Sequence, residues 1–349
     1  MALDLSFLRD LTSAAGTSGF ESRPAAVWRA RADAAGAQTT SDAYGNVFAT
    51  FRPGGRPRVM LAGHIDEIGL IVSYIDDHGF LYVRPVGGWD PMQLVGQRVR
   101  VLGHAGDVLG VVGKKAIHLM SAEDRRKTPT MDDLWIDIGA TSRQEAEAHV
   151  RAGDTAVIEQ PFLELLNGRV ASRAIDDRIG AYVALEAARR AGGVAEVVAV
   201  ATVQEEIGGV GARAAAYALQ PDVAIAIDVT HAIDTPGLEK KVHGDVPLAG
   251  GPVLTAGSYV HRGVMEGLRR AAEAAGVPVS MGVSPRRTAT DADHIAPSRA
   301  GTPSAVVSIP NRYMHSPNEV VDLQDVERTI ELLAGFIAEL DASTRFMHD

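Results

Sequence analysis

The chain has 349 residues, 46% of them hydrophobic and 22% charged, with a formal net charge of −10 and no cysteine. That length and balance suit a large core in one or two domains and fall outside the disordered, collagen-like and coiled-coil classes. The acidic surplus argues against a phosphate-neutralising nucleic-acid surface, and the missing thiols exclude disulfides, zinc-finger cages, iron–sulfur clusters and thiol catalysis, so any metal must sit on His, Asp and Glu.

At the N-terminus, Leu3, Leu5, Phe7, Leu8 and Leu11 share a helical face. Asp4 and Arg9 interrupt that stretch, so it reads as an amphipathic helix rather than a signal peptide. No window offers 18 uncharged apolar residues, so no membrane span and no membrane partner are expected, and a cytoplasmic location follows. Ser22 is placed to cap a second helix reaching Ala34. After the turn at Tyr44-Gly45-Asn46, Val47 to Phe51 and Arg58 to Ala62 read as strands. The second delivers Gly63-His64-Ile65-Asp66-Glu67-Ile68-Gly69. In extended chain His64 and Asp66 share a face, a spacing that suits a metal ligand with a supporting acid; a half-buried histidine bonded to its neighbour is the plainer alternative.

From residue 70 to residue 164 the texture changes to short alternating runs at Leu70–Ile75, Phe80–Val86, Gln97–Leu102, Val108–Val112, Leu134–Ile138 and Ala156–Glu159. Turn residues separate them, so this is a β-rich insert. A helical pattern at Ser142–Val150 is its main exception, and residues 124–129 read as an exposed loop. The expected division is a discontinuous domain of residues 1–69 and 165–349 around an inserted domain of residues 70–164. Beyond it, helices at Ile175–Arg190, Gly211–Leu219, Gly263–Ala275 and Leu323–Leu340 alternate with strands at Val194–Val203, Val223–Asp228, Val279–Val283 and Ala305–Ile309. That alternation predicts a parallel sheet with helices on both faces.

The apolar run Val197–Val203 stops abruptly at Gln204-Glu205-Glu206 and paired glycines, a buried strand running into a loop. Ligands of open α/β sheets gather at such ends. Neighbouring side chains there point in different directions, so one glutamate is free to hold a metal while the other takes a proton from water. A solvated turn is the alternative. Asp176 in Ser172–Arg178 opens a helix, Asp228 ends a strand in Ala226–His231, and His315 follows a strand in Arg312–Pro317. His64, Asp176, Glu206, Asp228 and His315 thus come from five element ends expected to converge on one crevice. Two histidines and three carboxylates suit Zn²⁺, Co²⁺ or Mn²⁺, and one shared carboxylate could bridge two ions roughly 3.5 Å apart.

The segments GHIDEIG, SRAIDDRIG, TVQEEIGGVGA, AIDVTHA and RYMHSPNEVV, with GGWDPMQLVGQRV and WIDIGATS in the insert, together resemble the tetrahedral aminopeptidase family of glutamyl and deblocking aminopeptidases, some of them termed endoglucanases. The resemblance spans nearly the whole chain. It implies a three-layer α/β/α hydrolase-like domain with an inserted PDZ-like dimerisation domain, assembled into a twelve-subunit tetrahedral shell built from dimers. It also implies two divalent ions per subunit, with zinc or cobalt favoured and manganese possible. Asp176 would bridge them, with His64 and Asp228 completing one site and Glu206 and His315 the other; Glu205 matches the general base and Asp66 the acid supporting His64. The implied activity removes N-terminal residues from short peptides. Ile65 stands where the family usually has Met, and the loop Lys240–Leu248 is less typical. The residues alone leave open a dinuclear amidohydrolase or deacylase acting on N-acyl substrates, and a metal-binding assembly module. A glycosidase would need two facing carboxylates and no histidine ligands.

Overall fold

The computed structural model describes residues 3–346, so the outermost residues of the expected discontinuous domain, 1–2 and 347–349, lie outside it. The N-terminal apolar face folds as the helix Leu5–Ser13, capped by Asp4, whose Oδ1 accepts from the Phe7 N–H at 3.1 Å. The second helix runs Ser22–Ala34, and here the expected cap is corrected. Glu21, not Ser22, occupies the N-cap position, and its side chain makes no capping hydrogen bond.

Strands β1 (Gln38–Ser41), β2 (Val47–Phe51) and β3 (Arg58–His64) lead into six strands of a separate body: β4 (Gly69–Ile75), β5 (Leu81–Val86), β6 (Arg98–Gly103), β7 (Gly106–Lys114), β8 (Leu134–Asp137) and β9 (Thr155–Ile158). These six close into a barrel in the order β4-β5-β8-β7-β6-β9. Alternate residues, among them Leu70, Val72, Leu81, Val83, Val99 and Val101, fill its interior, as period-2 side-chain direction requires. Within it the expected helix shortens to Arg143–Glu147, started by Ser142, whose Oγ accepts from the Glu145 N–H.

The remaining strands are β10 (Leu163–Glu164), β11 (Arg169–Ser172), β12 (Glu196–Thr202), β13 (Val223–His231), β14 (Val253–Gly257), β15 (Ser280–Ser284), β16 (Ser304–Asn311) and β17 (Glu319–Asp322). The main sheet has the order β1-β2-β12-β3-β13-β16-β14-β15. Its centre is parallel, β12 with β3, β3 with β13 and β13 with β16. Both flanks depart from the all-parallel expectation: β2 runs antiparallel to β12, and β14 antiparallel to β16. A strand buried on both faces carries the same apolar run in either direction, so the pattern does not reveal its sense. β10, β11 and β17 form a small second sheet that the residue pattern did not suggest.

Along β12 every residue is buried. Val197, Ala199 and Ala201 face a core containing Trp28, Tyr182 and Leu185, while Val198 and Val200 face one containing Phe48, Met60 and Ala212. Helix Ile175–Arg190 covers the first face and helix Val210–Leu219 the second. Each buried valine contributes about 1.5–3 kcal/mol of burial free energy, which fixes the strand and the chemistry at its end. The fold is a mixed α/β domain around a mixed sheet, carrying an inserted six-stranded barrel. Among the described residues, no helix is long and apolar enough to cross a membrane.

Candidate metal centre

Residues 63 and 64 end β3, and Gly63 sets their distance from the helix Ile175–Arg190. A Cβ at Gly63 would stand 2.3 Å from the backbone of Gly180 and Ala181, so only glycine lets that helix approach this closely. His64 is thereby brought to the helix entry. The entry itself is irregular, because Asp176 (φ −72°, ψ 109°) and Asp177 (φ −119°, ψ 35°) are not helical and Ala174 before them is left-handed. Asp176 thus opens the helix as expected, but on non-helical backbone.

Asp176 lies between the two histidines. Its Oδ1 is 3.1 Å from His64 Nε2 and its Oδ2 is 3.2 Å from His315 Nε2. Glu206 Oε1 is 3.2 Å from the same His315 nitrogen, and Glu205 Oε2 is 3.9 Å from His64 Nε2. The adjacent glutamates therefore face different histidines. Asp66 Oδ1 is 3.4 Å from His64 Nδ1, and its two oxygens also accept the Glu205 and Glu206 N–H groups at 3.1 and 3.2 Å. Asp228 shares a ligand-sized cluster with His64 and Asp177, and Asp176 another with His64 and Glu206. All seven residues proposed from the motifs, His64, Asp66, Asp176, Glu205, Glu206, Asp228 and His315, meet in one region.

Buried acids in that region that were not singled out from the motifs include Asp177, Glu319 and Asp291, the last accepting from Thr202 at the end of β12. Asp177 accepts the His64 N–H at 3.0 Å and the Gly180 N–H at 3.1 Å, so its oxygens are committed to the backbone although it clusters with His64 and Asp228. Glu319 accepts the Asp176 N–H at 2.8 Å and the His315 N–H at 2.9 Å, tying two candidate ligands together from β17. Asp177 was hidden by its neighbour, since either acid of an Asp-Asp pair fits the motif. For Glu319 the only signal was an acid four residues after His315.

Electrostatically this is a cradle with too many acids. Burial first, and then neighbouring carboxylates, push Asp228 and Asp177 well above the usual carboxylate range. Burial likewise raises Glu206 and carries Glu205 up to about 9. Asp176 goes the other way: burial opposes its charge, but the hydrogen bonds to His315 and His64 outweigh it. Asp176 and then Glu206 lift His315 to about 11. Glu206 Oε1 is buried without a hydrogen-bond partner in good geometry. A crowded set of hard oxygens and imidazoles facing one another fits divalent cations, which would relieve that repulsion.

A cavity of about 680 Å³ opens above these groups. Ile233, Val246, Val253, Val306 and Met314 supply apolar wall, His231, Asp293 and His294 a polar one, the atypical loop adds His243, and among the described residues no Lys or Arg lines it. From the barrel, Gly87 and Gly88 press against the centre: a Cβ at Gly88 would stand 3.2 Å from His315 Nδ1, and one at Gly87 3.3 Å from Glu206 Oε2.

Residues 45–332 match the M42 glutamyl aminopeptidase family. The chain is 41% identical over 303 residues to a lysyl aminopeptidase of Pyrococcus furiosus, covering 86% of each. Its structure superposes on a TET aminopeptidase from Thaumarchaeota archaeon SCGC AB-539-E09 with TM-score 0.92 and 36% identity, over 97% of this chain and 96% of that one. It also superposes on the TET1 peptidase of Pyrococcus horikoshii, a protein that can assemble into a tetrahedron or a large octahedral shell, with TM-score 0.84 and 33% identity over 96% and 99%.

Proposed function

The chain belongs to the M42 glutamyl aminopeptidase family and is a metallo-aminopeptidase, and from that premise we propose that its work is done by a dinuclear centre with Asp176 as the shared ligand. The observation that carries this reading is the position of Asp176, one carboxylate oxygen to each histidine. His64 and Asp228 complete one cation site, and Glu206 and His315 the other. When bound, two divalent ions, zinc or cobalt and alternatively manganese, supply Lewis acidity toward the scissile carbonyl and toward water.

The protein's own groups do the rest. Glu205 is half-buried, and burial and the neighbouring acids hold its carboxyl at about 9; with that repulsion relieved by bound cations it would take the proton from the attacking water and return it to the leaving amine. Asp66 and Asp177 hold His64 from its ring and its backbone, and Glu319 holds Asp176 and His315. The wall chemistry narrows the substrate: among the described residues the cavity mixes apolar side chains with Asp293, His231, His243 and His294 and has no Lys or Arg, so it offers no permanent cation to a glutamyl or aspartyl side chain, whose burial unpaired is costly. Neutral or basic N-terminal residues of short peptides are therefore preferred, although the family takes its name from glutamyl substrates. The discriminating experiment is release of p-nitroaniline from all twenty aminoacyl p-nitroanilides, alongside N-acetylated versions, with Zn²⁺, Co²⁺ and Mn²⁺. Preference for acetylated substrates would favour a deacylase, and glutamyl release equal to leucyl release would sink the exclusion of acids.

We assign residues 1–69 and 165–349 to a three-layer catalytic domain and residues 70–164 to a PDZ-like module that makes dimers within a tetrahedral dodecamer. Tyr74, Met92, Leu109, Ile117 and Leu119 of this segment are large apolar side chains more than half exposed. Contact with other subunits would cover such side chains.

A further inference from the structure

At the end of β12, four successive backbone N–H groups donate to side chains instead of to backbone. Val203 gives its N–H to Asn46 Oδ1 at 3.0 Å and Gln204 to Glu21 Oε1 at 3.2 Å. Glu205 and Glu206 give theirs to the two oxygens of Asp66. The reason is geometric. Gln204 is left-handed, with φ 59°, and such a bend in a non-glycine residue persists only where its surroundings over-determine it.

Of the three clamping side chains, Asp66 also serves His64, and Asn46 also ties down its own turn through Asp42 and Gly211. Glu21 has one local tie, the Gly19 N–H two residues before it. It sits at the N-cap of Ser22–Ala34, where a side-chain oxygen ordinarily accepts from the helix, yet it makes no such bond. Its Oε1 instead accepts from Gly19 at 2.6 Å and from Gln204. Burial, and after it the Asp66 carboxylate, push the Glu21 carboxyl up to about 7, against the pull of those N–H groups. A carboxyl has been placed where burial disfavours it and aimed at the residue before Glu205.

We propose that Glu21 is a positioning residue for peptide hydrolysis: by holding the Gln204 N–H it fixes the left-handed bend that turns Glu205 toward His64 and Glu206 toward His315. This rests on the assignment of Glu205 as proton acceptor and Glu206 as ligand. Glu21 belongs neither to the cavity lining nor to the ligand-sized clusters. Losing it loosens the direction of Glu205, whose carboxylate stands 3.9 Å from His64, while Glu206 stays anchored by its 3.2 Å contact with His315, which lowers turnover without weakening substrate or metal binding.

The test compares Glu21→Ala with Glu21→Gln, whose amide oxygen still accepts both N–H groups. Misplacing a catalytic group by about 1 Å costs about 10²-fold, so Glu21→Ala should lose about ten- to a hundredfold in kcat on leucyl p-nitroanilide. KM should stay within about threefold and bound metal by elemental analysis should match wild type, while Glu21→Gln recovers most of the loss. Independently of activity, amide hydrogen exchange over residues 203–206 should quicken about tenfold or more in Glu21→Ala and not in Glu21→Gln, with and without chelator. Wild-type kcat and protection in Glu21→Ala overturn the proposal, as do equal losses in both variants. If Glu21→Ala does not fold, Glu21→Asp, one methylene too short to reach Gln204, takes its place under the same criteria. A wild-type protein that hydrolyses no aminoacyl p-nitroanilide would defeat the catalytic assignments, while the exchange measurement would still decide whether Glu21 holds the bend.

Discussion

Asp176 offers one oxygen to each histidine, so its loss should not be local to one cation. Asp176→Ala is expected to lose both ions, whereas Asp228→Ala should retain one more firmly than the other; elemental analysis after dialysis distinguishes them. The paired glutamates should separate in the same assay. Glu205→Gln keeps metal and fold and loses about two to four decades of rate, the usual worth of a general base. Glu206→Gln binds metal more weakly at the outset, and its activity should recover in part when the ion is supplied in excess. If both variants shed metal alike, the division of labour between them is wrong. Asp177 and Glu319 show where residue-level reading stops. A carboxylate that accepts backbone N–H groups looks, in sequence, the same as one that binds a cation, and only its hydrogen-bond partners tell the two apart.

The elements that carry these residues are held by a buried ion network between the barrel entry and the long helix. Glu67, after β3, pairs with Arg173 and with Arg178 Nη2, the latter at 2.9 Å. Arg178 also donates to the Leu11 and Thr12 carbonyls at the end of Leu5–Ser13 and to Ile65 O. One guanidinium thus joins three elements. Burial alone would raise Glu67, but Arg173 and Arg178 outweigh it and leave the carboxyl below its reference value of 4.5. A depressed acid stabilises the fold above its unfolded pKa and loses that contribution as pH falls through the folded value. Glu67→Gln is therefore expected to cost about 3–5 kcal/mol near neutrality, the usual result of removing one partner from a buried pair. The deficit should shrink below about pH 4.5, as denaturant unfolding at pH 7 and pH 3 would reveal; an equal deficit at both would contradict the linkage. The apolar runs made the central strands and long helices legible. β10, β11 and β17 were not, since strands of two to four residues carry too few alternations to distinguish them from loop. Glu21 escaped notice because the cap of that helix was read at Ser22 beside it.

For the molecule as a whole, the proposed assembly predicts a particle near twelve subunits in light scattering. Replacing residues 72–162 by a short Gly/Ser linker should yield a much smaller species, and a deletion variant that still formed the large particle would rule out the barrel as the contact module. All five candidate ligands lie outside that segment, so some hydrolysis of a small aminoacyl anilide should survive. It should nevertheless be impaired, because the deletion also removes Gly87 and Gly88 from beside Glu206 and His315. Those two glycines would make the proposed contact module also a wall beside Glu206 and His315. Any neighbour that braces the barrel also braces that wall, so specific activity should fall when the enzyme is diluted far enough for the particle to come apart, and should return on reconcentration without added metal.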